Sequence, residues 1–269
     1  PNQYTINTRG DLTTEQIGIG TSVWFQKKTF DADVQLIYDD KNKVLDIKPS
    51  TLTLDGADFE VSGSYRFKDK NLIDLQTKGK NANVQLLFTL LPESTVAHLK
   101  QYQSKGDVYF DLKLKGELSS NHKPGLDVHF GMKDATVFHP DYQSRIENAT
   151  VEGQFRAPSL ANTREAFLSL RNIRASLNGD IFTGNFEMKN FDDPYVTADF
   201  SGEVNTDELL NFYRFEDLHE LTGRINADVS LQGRIALLKN KSTAQQVRTE
   251  GNIELHNLNF RIGENQHAF

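Results

Sequence analysis

From Lys105 to Ser119 the chain reads KGDVYFDLKLKGELS, a strict alternation of two kinds of residue. Val108, Phe110, Leu112, Leu114 and Leu118 hold one phase, with Gly116 in its remaining place. Asp107, Tyr109, Asp111, Lys113, Lys115 and Glu117 hold the other. Side chains of an extended chain point alternately to opposite faces, so this stretch demands a long strand with one apolar and one charged face. Such a strand is not stable alone; its apolar row must lie beside others like it and be withdrawn from water. The pattern returns at Gly223 to Ile235, GRINADVSLQGRI, where Ile225, Ala227, Val229, Leu231, Gly233 and Ile235 share the apolar phase.

Most of the remaining chain is written in the same alphabet. Tyr4 to Arg9 and Asp11 to Gly20 read as a pair of strands turning at Arg9-Gly10-Asp11, and Val44 to Lys48 and Thr51 to Leu54 as strands interrupted by Pro49. Phe59, Val61, Gly63, Tyr65 and Phe67 alternate with polar residues. Leu126 to Met132 reads as one strand and Ala135 to Phe138 as another. The run from Ala166 to Met188 reads as a meander turning at Asn172 and at Asn178-Gly179-Asp180. Two stretches have helical spacing instead: Asn83 to Tyr102, and Thr206 to Glu220 with Asn205 or Thr206 as its cap. Lys239 to Gln246 reads as a polar loop.

The order of these pieces repeats. Laying Asn71 to Leu87 over Pro194 to Leu210 aligns Gly79 with Gly202 and Leu86-Leu87 with Leu209-Leu210, and Leu45 to Gly56 overlays Leu168 to Gly179. An offset of about 120 residues held over most of the chain marks an internal repeat. The expected organisation is one continuous fragment, 1–269, of a longer protein, with repeats at approximately 17–138 and 139–262. Gly63, Gly116, Gly153, Gly184, Gly202 and Gly233 fall in the apolar phase. They mark sheet bends or packing gaps, or they let a long sheet curl into a trough; the two readings are compatible.

Several kinds of chemistry find no support in the residues. A net charge of −7 without a basic cluster argues against nucleic acid. With no cysteine there is no disulfide, thiolate metal site or cysteine nucleophile. His98, His122, His129, His139, His219, His256 and His267 lack metal-ligand spacing, and Asp111 and Asp228, at corresponding positions, stand on charged strand faces rather than as an acid pair. Neither a phosphate loop nor a nucleophile elbow is present. The chain is therefore not expected to be an enzyme, or to carry a metal or cofactor. Its longest apolar run, Val84 to Leu91, is far short of the roughly 20 residues that cross a membrane as a helix.

What the sequence offers instead is apolar area. Strands laid side by side would form a continuous hydrophobic face that two short helices cannot cover, so the sheet must close on itself, pack on another sheet, or hold something apolar. Tandem β-sandwiches with a structural or adhesive role are the main alternative, and an outer-membrane barrel the second, although the glycines and alanines of the apolar phase do not resemble aromatic girdles.

A Gly-bearing strand, then Asn-x-x-x-Leu-Leu, then Gly-x-(V/I)-x-x-D-x-x-(L/V)-x-G resembles the C-terminal region of AsmA-like proteins, a bacterial branch of the repeating β-groove (bridge-like) lipid-transfer proteins. Asn83, Leu86, Leu87, Gly106, Val108, Asp111, Leu114 and Gly116 carry the pattern once; Asn205, Leu209, Leu210, Gly223, Ile225, Asp228, Leu231 and Gly233 carry it again. The resemblance covers residues 45 to 262 and rests on degenerate motifs. It implies a mainly β fold: a long curved antiparallel sheet forming a U-shaped, taco-like groove with a hydrophobic interior, plus about two short helices. It also implies periplasmic placement, a tether to the inner membrane by a helix outside this fragment, and phospholipid or another acyl lipid as the partner, conducted between inner and outer membrane in support of outer-membrane biogenesis and envelope integrity. The residues expected to line such a groove are Phe59, Val61, Val108, Phe110, Leu112, Leu114, Phe186, Phe200, Val229 and Leu231.

Overall fold

The structure, a computed structural model, describes residues 2–19, 22–24, 27–54, 57–82, 101–139, 144–208, 218–238, 241–262 and 265–268. Among them the chain is mainly β. Its strands are β1 (Gln3–Thr14), β2 (Ile17–Ile19), β3 (Ser22–Trp24), β4 (Lys28–Asp39), β5 (Val44–Leu54), β6 (Ala57–Arg66), β7 (Leu72–Ala82), β8 (Gln103–Glu117), β9 (Gly125–Phe138), β10 (Arg145–Ala157), β11 (Phe167–Leu177), β12 (Asp180–Lys189), β13 (Tyr195–Asn205), β14 (Leu218–Arg234), β15 (Arg248–Ile262) and β16 (Asn265–Ala268). Fourteen of them form one sheet whose strands follow sequence order from β1 and β4 through to β16, and this sheet does not close. β1 and β4 to β8 pair antiparallel in turn, as do β12 to β16, and short polar turns join β4 to β5, β6 to β7 and β12 to β13 as hairpins. β2 and β3 pair as a separate hairpin.

The chain divides into two compact units. The first comprises Pro1–Lys100, Asp107–Gly131 and Gln154–Phe167; the second comprises Gln101–Gly106, Met132–Gly153 and Leu168–Phe269. Strand bounds recur between them. Ala57 and Asp180, Arg66 and Lys189, Leu72 and Tyr195, and Ala82 and Asn205 are each 123 positions apart. The pairing inside the two hairpins recurs as well, with Phe59 opposite Gly79 in one and Phe182 opposite Gly202 in the other.

Long strands of a sheet that buries one face have to bend, and they do so at bulges. In the first unit the β5–β6 register passes from Ile47 opposite Gly63 to Ser50 opposite Val61, so Lys48 and Pro49 together face Ser62. Proline has no N–H for the ladder, and an extra residue is where a strand tolerates it. The Ser50 hydroxyl supports the bulge, donating to the Lys48 carbonyl at 2.6 Å and accepting from the Gln35 N–H at 3.1 Å. β5 therefore runs unbroken through Pro49, where two strands were expected.

In the second unit Asn257 and Leu258 oppose Gly223 alone, between Thr222 opposite Asn259 and Arg224 opposite His256. Asn257 is left-handed, at φ +51°, and Gly223 has φ +112°. A Cβ on Gly223 would meet the Asn257 carbonyl at 2.5 Å, so only glycine fits opposite this bulge. Asp134 in β9 and Asn172 in β11 are also left-handed, at φ +48° and +53°. Asp134 stands 123 positions before Asn257, and Asn172 stands 123 after Pro49. These residues account for two differences from expectation. β9 is one strand through Asp134, and β11 passes through Asn172 without turning. An extra residue shifts the apolar phase by one, which in sequence looks the same as a turn. β1 likewise continues through Gly10, paired with β4 in constant register.

Of the expected helices, Asn83 to Lys100 lies outside the described residues. Residues 206–208 are helical, and Asn205 caps them by accepting the Asp207 N–H at 3.1 Å. Residues 209–217 lie outside the described residues, and Leu218 to Glu220 belong to β14 rather than to a helix. Helical turns also occur at Thr163–Glu165, between β10 and β11, and at Ile235–Leu238 and Lys241–Ala244, beside and within the expected polar loop.

The bulge account makes a prediction at Asn257. Replacing it with valine, whose branched Cβ resists the left-handed region, should destabilise the chain by about 1–2 kcal/mol, while Asn257→Gly should be close to neutral. Urea midpoints of the two variants would separate this from a position indifferent to backbone conformation.

Candidate functional site

Registers fix which side chains share a face, because directly paired residues of antiparallel strands point the same way. In the first unit one row crosses the sheet as Ala32, Leu52, Phe59, Gly79 and Phe110. The next rows hold Val61, Thr77 and Leu112, then Ile47, Gly63, Leu75 and Leu114. Val108 lies on the same strand in the same phase. All six first-unit residues named as groove lining thus stand on one face. Val108 is 0 % and Phe110 2 % exposed; Phe59, Val61 and Leu114 are buried and Leu112 half-buried.

Aromatic rings organise this face. Phe59 sits between Phe30 and Phe110, with ring centroids 6.1 and 6.4 Å away. Phe110 lies over Gly79, where a Cβ would come within 2.2 Å of its ring. The absent side chain leaves the space the ring fills, which is how sheets commonly cover a glycine. Part of the face is an ordinary core: Leu114, Leu126 and Val128 pack with Ile73, Leu75, Phe130 and Phe155, and Leu160 of the β10–β11 connection covers them. Other parts are open. Tyr4, Ile6 and Leu12 of β1 stand opposite Tyr38, Leu36 and Phe30 and continue the apolar rows, yet Ile6 is 48 % exposed. Tyr4, Tyr38 and Phe67 form a stacked series, with centroid distances of 6.3 and 5.9 Å.

In the second unit Phe186, Ala198 and Leu231 form one row, and Gly184, Phe200 and Val229 the next. Phe186, Phe200, Val229 and Leu231 therefore share a face too, all half-buried. Adjacent rows are Phe182, Gly202, Ala227 and Ile253, then Val204, Ile225 and Leu255. Ile253 and Leu255 are 57 % and 44 % exposed. On this face lies a cavity of about 330 Å³ lined by Ile146, Leu177, Phe182, Phe200, Val204, Thr206, Ile225 and Ala227. Five successive strands, β10 to β14, contribute to its wall, which a flat sheet could not do. Within this unit the sheet is concave.

The opposite face is held by charge. Asp74 pairs with Lys115 at 2.6 Å and Lys78 with Asp111 at 3.5 Å, directly across β7 and β8. Lys70 bonds Glu117 at 2.9 Å and holds its carboxyl below the ordinary value, with His122 contributing less. The Asp40 carboxyl is lowered by hydrogen bonds from Lys43 and Tyr38, and Asp39 by the backbone and side chain of Asn42. In the second unit Arg224 bridges Asp180 at 2.9 Å and Glu203 at 2.7 Å, and Ser144 donates to Glu208. Among the described residues no His, Asp or Glu cluster could hold a metal ion.

The residues expected to line the groove did not include the cavity residues Ile146, Leu177, Phe182, Val204 and Ile225, although alternation places Ile225 in the apolar phase. The repeat carried a signal for Phe182, which stands 123 positions after Phe59. Asn83, Leu86, Leu87, Leu209 and Leu210, which carry part of the resemblance, lie outside the described residues. No family model matches the sequence, no curated protein matches it, and no solved structure matches the fold.

Two measurements check this geometry. Gly79→Ala should cost about 1–3 kcal/mol by displacing the Phe110 ring, and Phe110→Leu in the same chain should recover part of that loss. Additive unfolding free energies would show that ring and glycine are independent. Lys70→Met should raise the Glu117 carboxyl toward its ordinary value of 4.5 in an NMR titration. Because that carboxyl is lowered in the folded chain, its contribution to stability is present above pH 4.5 and fades as pH falls through the folded value. The variant should therefore lose less stability on acidification than the parent.

Proposed function

We propose that this chain binds acyl lipids along the apolar face of its sheet and conducts phospholipid between the inner and outer membranes of a bacterial envelope. The observation that carries this reading is a set of large apolar residues left exposed on the same face whose other members are buried. Ile6 and Leu12 in the first unit, and Ile253 and Leu255 in the second, extend in-register apolar rows to water. Side chains that the protein itself does not cover, continuous with those it does, are what a lining for an apolar ligand requires.

Energetics favour such a ligand. At about 0.8 kcal/mol per methylene, a 16-carbon chain withdrawn from water gains on the order of 12 kcal/mol, similar to its gain in a bilayer. Exchange between membrane and protein is then nearly balanced, and passage needs no catalytic group. The charged face would meet the periplasm, and the resemblance to AsmA-like proteins supports a tether to the inner membrane outside this sequence. A β-sandwich role would need a second sheet over the apolar face, and among the described residues the second sheet is only the β2–β3 hairpin.

Native mass spectrometry of the purified chain, with lipid extraction, tests the reading. The parent should carry phospholipid, and Val229→Asp with Leu231→Asp should lose at least tenfold of it with the β circular dichroism unchanged. A folded parent free of lipid, which takes none from vesicles, would overturn the proposal.

A further inference from the structure

Among the described residues, the cavity of the second unit is walled by side chains of five successive strands. Phe182 and Phe200 stack at 6.0 Å with their planes 25° apart and form one flat wall. Each is paired across the β12–β13 ladder with a glycine, Gly202 and Gly184, so no side chain from the paired position stands beside either ring on that side. Ile225 and Ala227 face them from β14, and Leu177 and Ile146 from β11 and β10. The one hydroxyl in the wall belongs to Thr206, which is 0 % exposed and donates to the Gly223 carbonyl at 2.9 Å. Its proton is committed within the protein, so the wall presents no donor to an occupant. On the far side of the sheet Arg224 ties β14 to Asp180 at the start of β12 and Glu203 in β13, which fixes the spacing of three of the strands involved.

We infer that this cavity is a discrete seat for the terminal segment of a single acyl chain. The inference rests on the lipid-binding reading above and adds a resting position to it. The chemistry follows from the wall: a head group, a sterol hydroxyl or a peptide would bring polar atoms that find no partner here. Size sets the rest. At about 330 Å³ the cavity lies at the small end of the roughly 300–1,000 Å³ range of ligand pockets, room for one chain segment and not for a lipid with two. The remainder of the tail then lies along the half-buried row of Phe200 and Val229.

A palmitic acid analogue with a diazirine near its methyl end, photolysed on the whole chain and mapped by peptide mass spectrometry, tests the seat. Adducts should concentrate on the lining residues Ile146, Leu177, Phe182, Phe200, Val204 and Ile225, and Ala227→Phe, which fills the cavity from its wall, should reduce them at least tenfold while adducts on β6 and β8 stay unchanged. If Ala227→Phe loses its β circular dichroism, Val204→Phe fills the same space from β13 and is read in the same way. Adducts spread evenly over both units, unmoved by filling, would overturn the seat and leave lipid binding standing. Absence of adducts everywhere would overturn both.

Discussion

One constraint governs this structure: a single open sheet has to keep an apolar face out of water largely with its own strands. Sandwiches meet this requirement with a second sheet and barrels by closure, but here the fourteen strands of the main sheet run in sequence order and do not close. Burial on that face is consequently uneven. It is complete where rings stack over glycines, as at Phe59, Gly79 and Phe110, or where Leu160 covers the core. It fails at β1 and along the middle of β15, where residues of the same phase face water. The uneven burial follows from the architecture, and the functional reading rests on it.

Concavity in turn depends on interruptions of the ladder. A bulge places two residues against one and increases local bend and twist. The residues at equivalent places differ chemically: Pro49, at a bulge, stands 123 positions before the left-handed Asn172, and the left-handed Asp134 stands 123 before Asn257, which is at a bulge. Proline suits a bulge because it has no N–H to waste. Asparagine and aspartate suit it because their short polar side chains tolerate the left-handed region. What recurs is therefore a mechanical requirement, which explains why sequence identity between the repeats is low while strand bounds coincide.

Strand content was legible because alternation is a direct imprint of facing, and Val108 to Leu114 showed it with no ambiguity. Faces were legible for the same reason: all ten residues expected on the apolar side fall on it within their own units. Strand continuity was harder to read. Asn172 and Asp134 carry turn chemistry and shift the phase, and sequence alone does not distinguish a chain that reverses from one that gains a residue and goes on. The cavity was not legible, since Ile146, Leu177 and Ile225 stand on three different strands, and alternation shows which way a side chain faces but not which ones a concave sheet gathers round one space. Asn205 and Thr206 were both candidates for the helix cap. The capping falls to Asn205, and Thr206 instead ties the cavity wall to Gly223.

The charged face explains how the apolar face can remain partly unfilled. Slipping a strand by one residue would turn its whole apolar row to solvent, so register has to be specified strongly. In most sheets close packing of the core does much of this. Here Asp74 opposite Lys115 and Lys78 opposite Asp111 define the β7–β8 register from the other side, and Arg224 performs a similar task for β12, β13 and β14. Each exposed pair contributes only about 0–1 kcal/mol, but a slipped register loses several at once and sets like charges nearer each other. Register is then held by the solvated face, and the apolar face need not be packed to a unique solution in order to keep it. A face released from that duty can keep open rows and a cavity without loss of fold, which is the physical condition for holding an occupant that comes and goes.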